Sequence, residues 1–164
     1  FWSIQITDKE LLECIRKVVG SEHKISEKIG KGNEKTLYRL QIGSKEMCKD
    51  LSKLGMFVRK TDSMSVPNVP AKYFSDFVRG YFDGDGNVWV GYLHKDRPKT
   101  TLSIQVALTS CSTNFLLELR RRLRLDMIIK RVISKGGSNF YRLVYSVKDS
   151  LKLYDFMYLS LIHI

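Results

Sequence analysis

The sequence predicts an α+β protein built from two tandem copies of one unit. Three observations predict it: short motifs that recur in the same order, polar and apolar residues that alternate where each copy opens, and apolar residues at helical spacing in between. Tyr38-Arg39-Leu40 returns as Tyr141-Arg142-Leu143, and each triplet is followed at the same distance by a lysine, Lys45 and Lys148. Upstream, Ser3-Ile4-Gln5-Ile6 returns as Ser103-Ile104-Gln105-Val106, and each leads into a helical pattern, residues 11–19 and 114–125.

Taken in order, the first copy reads as strand 3–6, helix 11–19, strands 25–28 and 37–42, and a closing helix. Residues 62–70 carry Pro67 and Pro70, which stiffen an extended connection and keep the flanking helices from merging, so a linker is expected there. An aromatic-rich helix, 71–82, and a strand, 87–92, follow. The repeated portion then resumes with strand 101–108, helix 114–125 and strands 129–134 and 140–146, the last two joined by a Gly136-Gly137-Ser138-Asn139 turn, a good hairpin signal. The expected domains are an incomplete first repeat, 1–61, the linker 62–70 and a second repeat, 71–164. Nothing before Phe1 corresponds to helix 71–82 and strand 87–92. The first repeat is therefore expected to lack its initial helix and strand, and the natural protein to start and end beyond the residues given.

A chain of 164 residues with 43% apolar content has enough material for a packed core. Twenty-eight Lys and Arg against seventeen Asp and Glu leave a net charge of +11, which favours polyanionic partners, nucleic acid first. No apolar run approaches the roughly 20 residues of a membrane-spanning helix and no signal peptide opens the chain, so a soluble intracellular protein is expected. Cys14, Cys48 and Cys111 are odd in number and far apart, and His23, His94 and His163 are equally scattered. This argues against a disulfide framework, a zinc site and a Ser–His–Asp triad, leaving carboxylates and lysines to carry any catalysis.

The alternation places Ser3, Gln5 and Thr7 opposite Trp2, Ile4 and Ile6, and Thr101, Ser103 and Gln105 opposite Leu102, Ile104, Val106 and Leu108. Arg39, Gln41, Arg142 and Ser146 extend the polar face. Such side chains match donor and acceptor patterns on base edges, and a β-ribbon fits the major groove. The same pattern also describes an ordinary antiparallel sheet with one wet face. Arg120-Arg121-Arg122, with Arg124, Lys130 and Arg131, reads either as phosphate-binding surface or as a solvated helix face. Lys95, Arg97 and Lys99, beside Pro98, form a hairpin tip that either reaches along a groove or only adds solubility.

Residues 77–86 join an apolar helix to two acids and two glycines. Gly80 permits close helix packing, and Gly84 and Gly86 are expected to let the chain turn sharply out of the helix. A carboxylate there suits Mg²⁺, which takes one or two carboxylates beside water and phosphate oxygens. A calcium loop is excluded, because Val88 stands where that loop needs glycine and His94 where it needs glutamate. Solvated aspartates at a helix C-terminus are the plain alternative, but they oppose the helix dipole, which suggests a functional reason for them.

The stretch VRGYFDGDG, residues 78–86, resembles the signature of the LAGLIDADG homing endonucleases, and it precedes a strand as that signature does. The resemblance implies two αββαββα halves, with signature helices packed at the centre and two saddle-shaped antiparallel sheets over double-stranded DNA. It implies an endonuclease that hydrolyses phosphodiesters with Mg²⁺ or another divalent cation. By position, Asp85 is the metal-binding catalytic acid and Asp83 supports the helix end, while Gly80 and Gly84 lie in the helix interface. Gly55-Met56-Phe57-Val58-Arg59-Lys60-Thr61 is similar to the family segment whose lysine sits near the scissile phosphate, which makes Lys60 the candidate; a surface lysine is the alternative. Asp8 and Lys9 resemble a water-ordering position, and Asp8 equally suits a helix N-cap. Single-chain cutters carry two signature helices, whereas one is present here. The second acid is then expected from a pseudo-dimer half in a longer chain or from a homodimer. A maturase acting on intron RNA, a DNA-binding regulator and an inactive fragment are the competing readings. An intein is not suggested, since no terminal splicing residues surround the domain.

Overall fold

The computed structural model describes residues 1–56, 64–94, 96, 98–123, 134–135 and 140–159. The chain divides into two compact units, Phe1–Lys53 and Leu54–Ile164.

The first unit runs β1 (Trp2–Ile6), α1 (Lys9–Val18), β2 (Ser26–Lys28), β3 (Leu37–Ile42) and α2 (Lys45–Lys53). Its three strands pair antiparallel in the order β1-β3-β2. Helix α1 starts where Asp8, in extended backbone, accepts a hydrogen bond from the Leu11 amide at 3.0 Å, satisfying one of the first-turn donors. It ends at Gly20, whose φ of 62° suits a residue without Cβ. Alternation in β1 and β3 turns Trp2, Ile4, Leu40 and Ile42 toward α1, where Leu12 completes a small core.

The second unit opens with a 3₁₀ turn (Ala71–Tyr73) and continues as α3 (Phe74–Asp85), β4 (Gly86–Leu93), β5 (Thr101–Ser110), α4 (Thr113–Leu123), β6 (Ser134–Lys135), β7 (Tyr141–Tyr145), α5 (Val147–Tyr154) and a π-helical turn (Asp155–Leu159). Its strands order as β4-β5-β7-β6, so without β4 the sheet repeats the β1-β3-β2 arrangement of the first unit. No element of residues 1–53 corresponds to α3 or β4. The α+β class, the antiparallel sheets and the repeat agree with expectation. The core joins α3, α4 and α5 to one face of the sheet through Val78, Leu108, Phe115, Leu116, Leu143 and Leu153.

Two expectations are corrected. First, Ile4 pairs with Leu40 and Leu108 with Leu143, so the counterpart of Ser3-Ile4-Gln5-Ile6 is Ala107-Leu108-Thr109-Ser110, four residues beyond Ser103-Ile104-Gln105-Val106. The cause is the length of β5: its first half pairs only with β4, a strand the first unit lacks. A shift of even length preserves the face, so the in-and-out pattern survives. Second, α3 continues through Asp85 instead of ending at Phe82, and Gly84 lies inside it. Gly86 has φ −83° and ψ 161°, an ordinary extended conformation. It is needed for space, because a Cβ there would collide with the Phe82 ring and carbonyl. Residues 64–70 are anchored to α4 and its cap. The Ser112 hydroxyl donates to the Met64 carbonyl (2.8 Å), the Val66 amide donates to Glu118 (3.1 Å), and Val66 is buried. Residues 129–133 and the Gly136-Gly137-Ser138-Asn139 turn lie outside the described residues. No helix is long and apolar enough to cross a membrane among the described residues.

Candidate active site and nucleic-acid interface

Asp85 is the last residue of α3, exposed, with β4 leaving directly from it. It borders a cavity of about 290 Å³ together with Met64, Tyr81, Thr109, Ser110, Cys111 and Phe140. Tyr81, one helical turn earlier, donates its hydroxyl proton to the Thr109 carbonyl and packs its ring on Phe115 at 4.7 Å. The end of α3 is thereby clamped to the end of β5, which holds Asp85 at the rim of the sheet. Burial pushes the Tyr81 phenol up to about 12; a Ser110 hydrogen bond opposes this and the Asp85 charge adds to it. The phenol thus stays a hydrogen-bond donor at neutral pH. Asp83 accepts a hydrogen bond from the Tyr158 hydroxyl at 3.2 Å, tying α3 to the π-helical turn.

Among the described residues, no three His, Cys, Asp or Glu side chains converge as a metal cage. A lone exposed carboxylate beside an open cavity fits the other style of Mg²⁺ binding, in which water and substrate phosphates fill most positions. Gly80 and Gly84 lie one turn apart on an exposed face of α3, and a Cβ on either would meet no atom within 4 Å. That face has room for another backbone to approach. Lys60, Lys95 and Arg97 lie outside the described residues.

The polar face of the first sheet collects Ser3 opposite Gln41 and Gln5 opposite Arg39, all exposed, with Thr7 exposed just beyond the strand. Ser26, opposite Arg39, and Lys28 join them. Sequence reading missed these two because a strand of three residues is too short for its alternation to register.

In the second sheet, Gln105 and Thr101 share a face with Arg142 and Thr109. Arg142 is exposed, its guanidinium 5.1 Å from the centre of the Phe140 ring, and Lys99 is exposed just before β5. Ser103 departs from expectation. It lies on the same face but is only 6% exposed, and its register partner Gly91 lies beneath the Trp89 ring. Trp89 and Asn87 are further members of this face that sequence reading did not assign; the alternation of β4 around Val88 and Val90 was the available signal.

The arginine run also divides. Arg121 is exposed, whereas Arg122 donates to the Pro67 carbonyl (2.7 Å) and the Val69 carbonyl (2.9 Å) and lies 4.3 Å from the centre of the Phe74 ring. Arg122 is a structural clasp, so the phosphate-binding reading does not hold for it.

No protein-family model matches the sequence, and no curated protein does. Solved structures do. The LAGLIDADG meganuclease I-AabMI bound to uncleaved DNA is 16% identical with a TM-score of 0.60, over 94% of this chain and 72% of that one. The meganuclease I-SmaMI, bound to uncleavable DNA with a TTGT central four, is 13% identical with a TM-score of 0.60, over 96% and 72%. I-SmaMI bound to an uncleaved DNA target in the presence of calcium ions is 12% identical with a TM-score of 0.56, over 92% and 69%. At these identities the likeness is one of architecture, and the chain has the α+β fold of the LAGLIDADG meganucleases.

Proposed function

We propose that this chain is part of a site-specific double-stranded DNA endonuclease of the homing type, hydrolysing phosphodiester bonds with Mg²⁺ or another divalent cation. The observation that carries the reading is Asp85. It is an exposed carboxylate clamped at the junction of a helix and a sheet, on a helix whose Gly80 and Gly84 leave room for a second helix. Asp85 would hold the cation. When bound, that ion supplies charge neutralisation at the phosphate and a water made easier to deprotonate. Lys60, carried over from the resemblance, would stand near the scissile phosphate and stabilise charge that develops there.

Cutting both strands asks for a second acid. The open Gly80–Gly84 stripe is where another acid-ended helix would seat, from a pseudo-dimer half of a longer chain or from a second copy of this one. We retain the division into repeats 1–61 and 71–164 joined by 62–70. Base edges would be read by Ser3, Gln5, Thr7, Arg39 and Gln41 in the first sheet and by Thr101, Gln105 and Arg142 in the second, with Lys95, Arg97 and Lys99 tracking the backbone. Ser103, being covered, is withdrawn from this set.

A single acid-ended helix among the described residues favours one second reading, a binder of DNA or intron RNA that does not cut. A cleavage assay separates the two. With Mg²⁺ and a duplex selected from a random library, the parent cuts, while Asp85→Asn still binds and loses about a thousandfold in rate. Undiminished cutting by Asp85→Asn would remove the assigned role, and binding without cutting by the parent would establish the second reading.

A further inference from the structure

Trp89 stands on the wrong side of its strand for a core residue. The register of β4 and β5 puts Val88, Val90 and Tyr92, themselves half or more exposed, on the face that continues into the helix-packed Val106 and Leu108, and Asn87, Trp89 and Gly91 on the polar face with Gln105 and Thr109. Trp89 is the largest apolar side chain of that polar face.

Its ring lies directly over Gly91. The indole fills the space above Gly91, where any Cβ would collide with it, and Ser103 across from Gly91 is nearly covered. Trp89 nevertheless stays 40% exposed. Part of the ring is covered by contact with Gly91, the remainder is open to solvent, and Gln105 is the direct register partner of Trp89.

Residues directly opposite in an antiparallel pair have Cβ atoms about 5 Å apart, near enough for their side chains to reach the same base pair or adjacent ones about 3.4 Å apart. In the major groove, thymine presents a methyl group and adenine a donor and acceptor pair that glutamine matches. A large apolar ring beside a glutamine is therefore complementary to an A·T pair.

Resting on the proposed reading of this sheet as a duplex-binding surface, we infer that Trp89 and Gln105 form a base-reading pair, with Trp89 as a specificity determinant that contacts a thymine methyl group. B-form DNA is the partner this fits, because the major groove of an RNA duplex is too deep and narrow for a sheet to read and its uracil lacks the methyl group.

The test is a binding measurement that needs no cleavage. The parent protein is used to select sites from a random duplex library, and thymine is then replaced by deoxyuridine at each selected position in turn. The parent is expected to lose about five- to tenfold in affinity at one A·T position and little elsewhere. Trp89→Ala should bind the thymine and deoxyuridine duplexes equally. Gly91→Ala leaves the indole chemically intact but displaces it from its seat, so it should also lose the discrimination. The combined variant should be no worse than either alone.

The inference is overturned if the parent selects a site but tolerates deoxyuridine throughout, or if Trp89→Ala keeps the discrimination. It is equally overturned if Trp89→Ala weakens single-stranded and duplex DNA alike, the mark of stacking on an unpaired base. In each of these cases duplex binding itself still stands. Failure of the parent to bind any duplex would overturn the inference together with the reading beneath it. The deoxyuridine series is run on the parent alone, so it decides the matter even if a variant fails to fold.

Discussion

Helices α1 and α4 occupy the same place in the two repeated units and meet different surroundings. Each begins on a side-chain oxygen that accepts from the amide three residues on, Asp8 from Leu11 and Ser112 from Phe115. In each the next residue, Leu12 or Leu116, is wholly buried against its sheet. The neighbouring position diverges. Leu11 is 50% exposed, while Phe115 is 1% exposed and packs on Tyr81 of α3. The position of Arg122 in α4 is taken by the exposed Val18 in α1, which has no clasped segment to hold. The repeated elements thus make a sheet with two helices, and α3 with residues 64–70 turns the second unit into a deeper core. Those added elements also deliver Asp85, so the acid and the extra core arrive together.

The largest effect that would sharpen this contrast is expected at the divergent pair. Phe115→Ala should cost about 3–5 kcal/mol, since it opens a cavity beneath Tyr81, whereas Leu11→Ala should cost less than about 0.5 kcal/mol. Native-state hydrogen exchange reads the loss within each unit separately. A large loss from Leu11→Ala would break the comparison, because it would mean that a partner covers α1 in solution.

A smaller effect is expected from Arg122. Arg122→Ala strands the Val69 carbonyl, leaves the Pro67 carbonyl with the Val69 amide alone, and removes a cation from the Phe74 ring, at a cost of about 2–3 kcal/mol. Arg121→Ala, at the next and exposed position, should be nearly neutral for stability. The salt dependence of duplex binding discriminates further. A phosphate contact contributes about one unit to the slope of log affinity against log salt, so loss of Arg122 should leave the slope unchanged. A reduced slope would return Arg122 to the nucleic-acid surface.

Much of this contrast was legible in the residues. Strand β3 appears at its expected bounds, and the triplets beginning at Tyr38 and Tyr141 identified equivalent strands, because apolar alternation and repeat order are local signals. The match of Ser3-Ile4-Gln5-Ile6 to Ser103-Ile104-Gln105-Val106 misled, since pairing register is decided by a strand distant in sequence. Ser103 was misjudged and Trp89 left unassigned for a related reason. Alternation tells which face a side chain occupies but not whether a neighbour lies over it, and the seat for Trp89 depends on the missing Cβ of Gly91. Arg122 looked like its neighbours because its partners are carbonyls more than fifty residues away. Asp85 was legible as a chemical group at a helix end, while its clamp through Tyr81 and Thr109 needed the tertiary structure.

The smallest effect concerns what the two helices share. Asp8→Ala removes one capping bond and should cost about 1 kcal/mol, with Asp8→Asn nearly neutral because an amide oxygen still accepts from the Leu11 amide. Ser112→Ala should cost more than Asp8→Ala. Its hydroxyl also donates to the Met64 carbonyl, so the cap of α4 doubles as the first anchor of residues 64–70. Equal losses at the two caps in thermal unfolding would mean that this anchor contributes nothing. The added core of the second unit would then rest on Arg122, Glu118 and apolar packing alone.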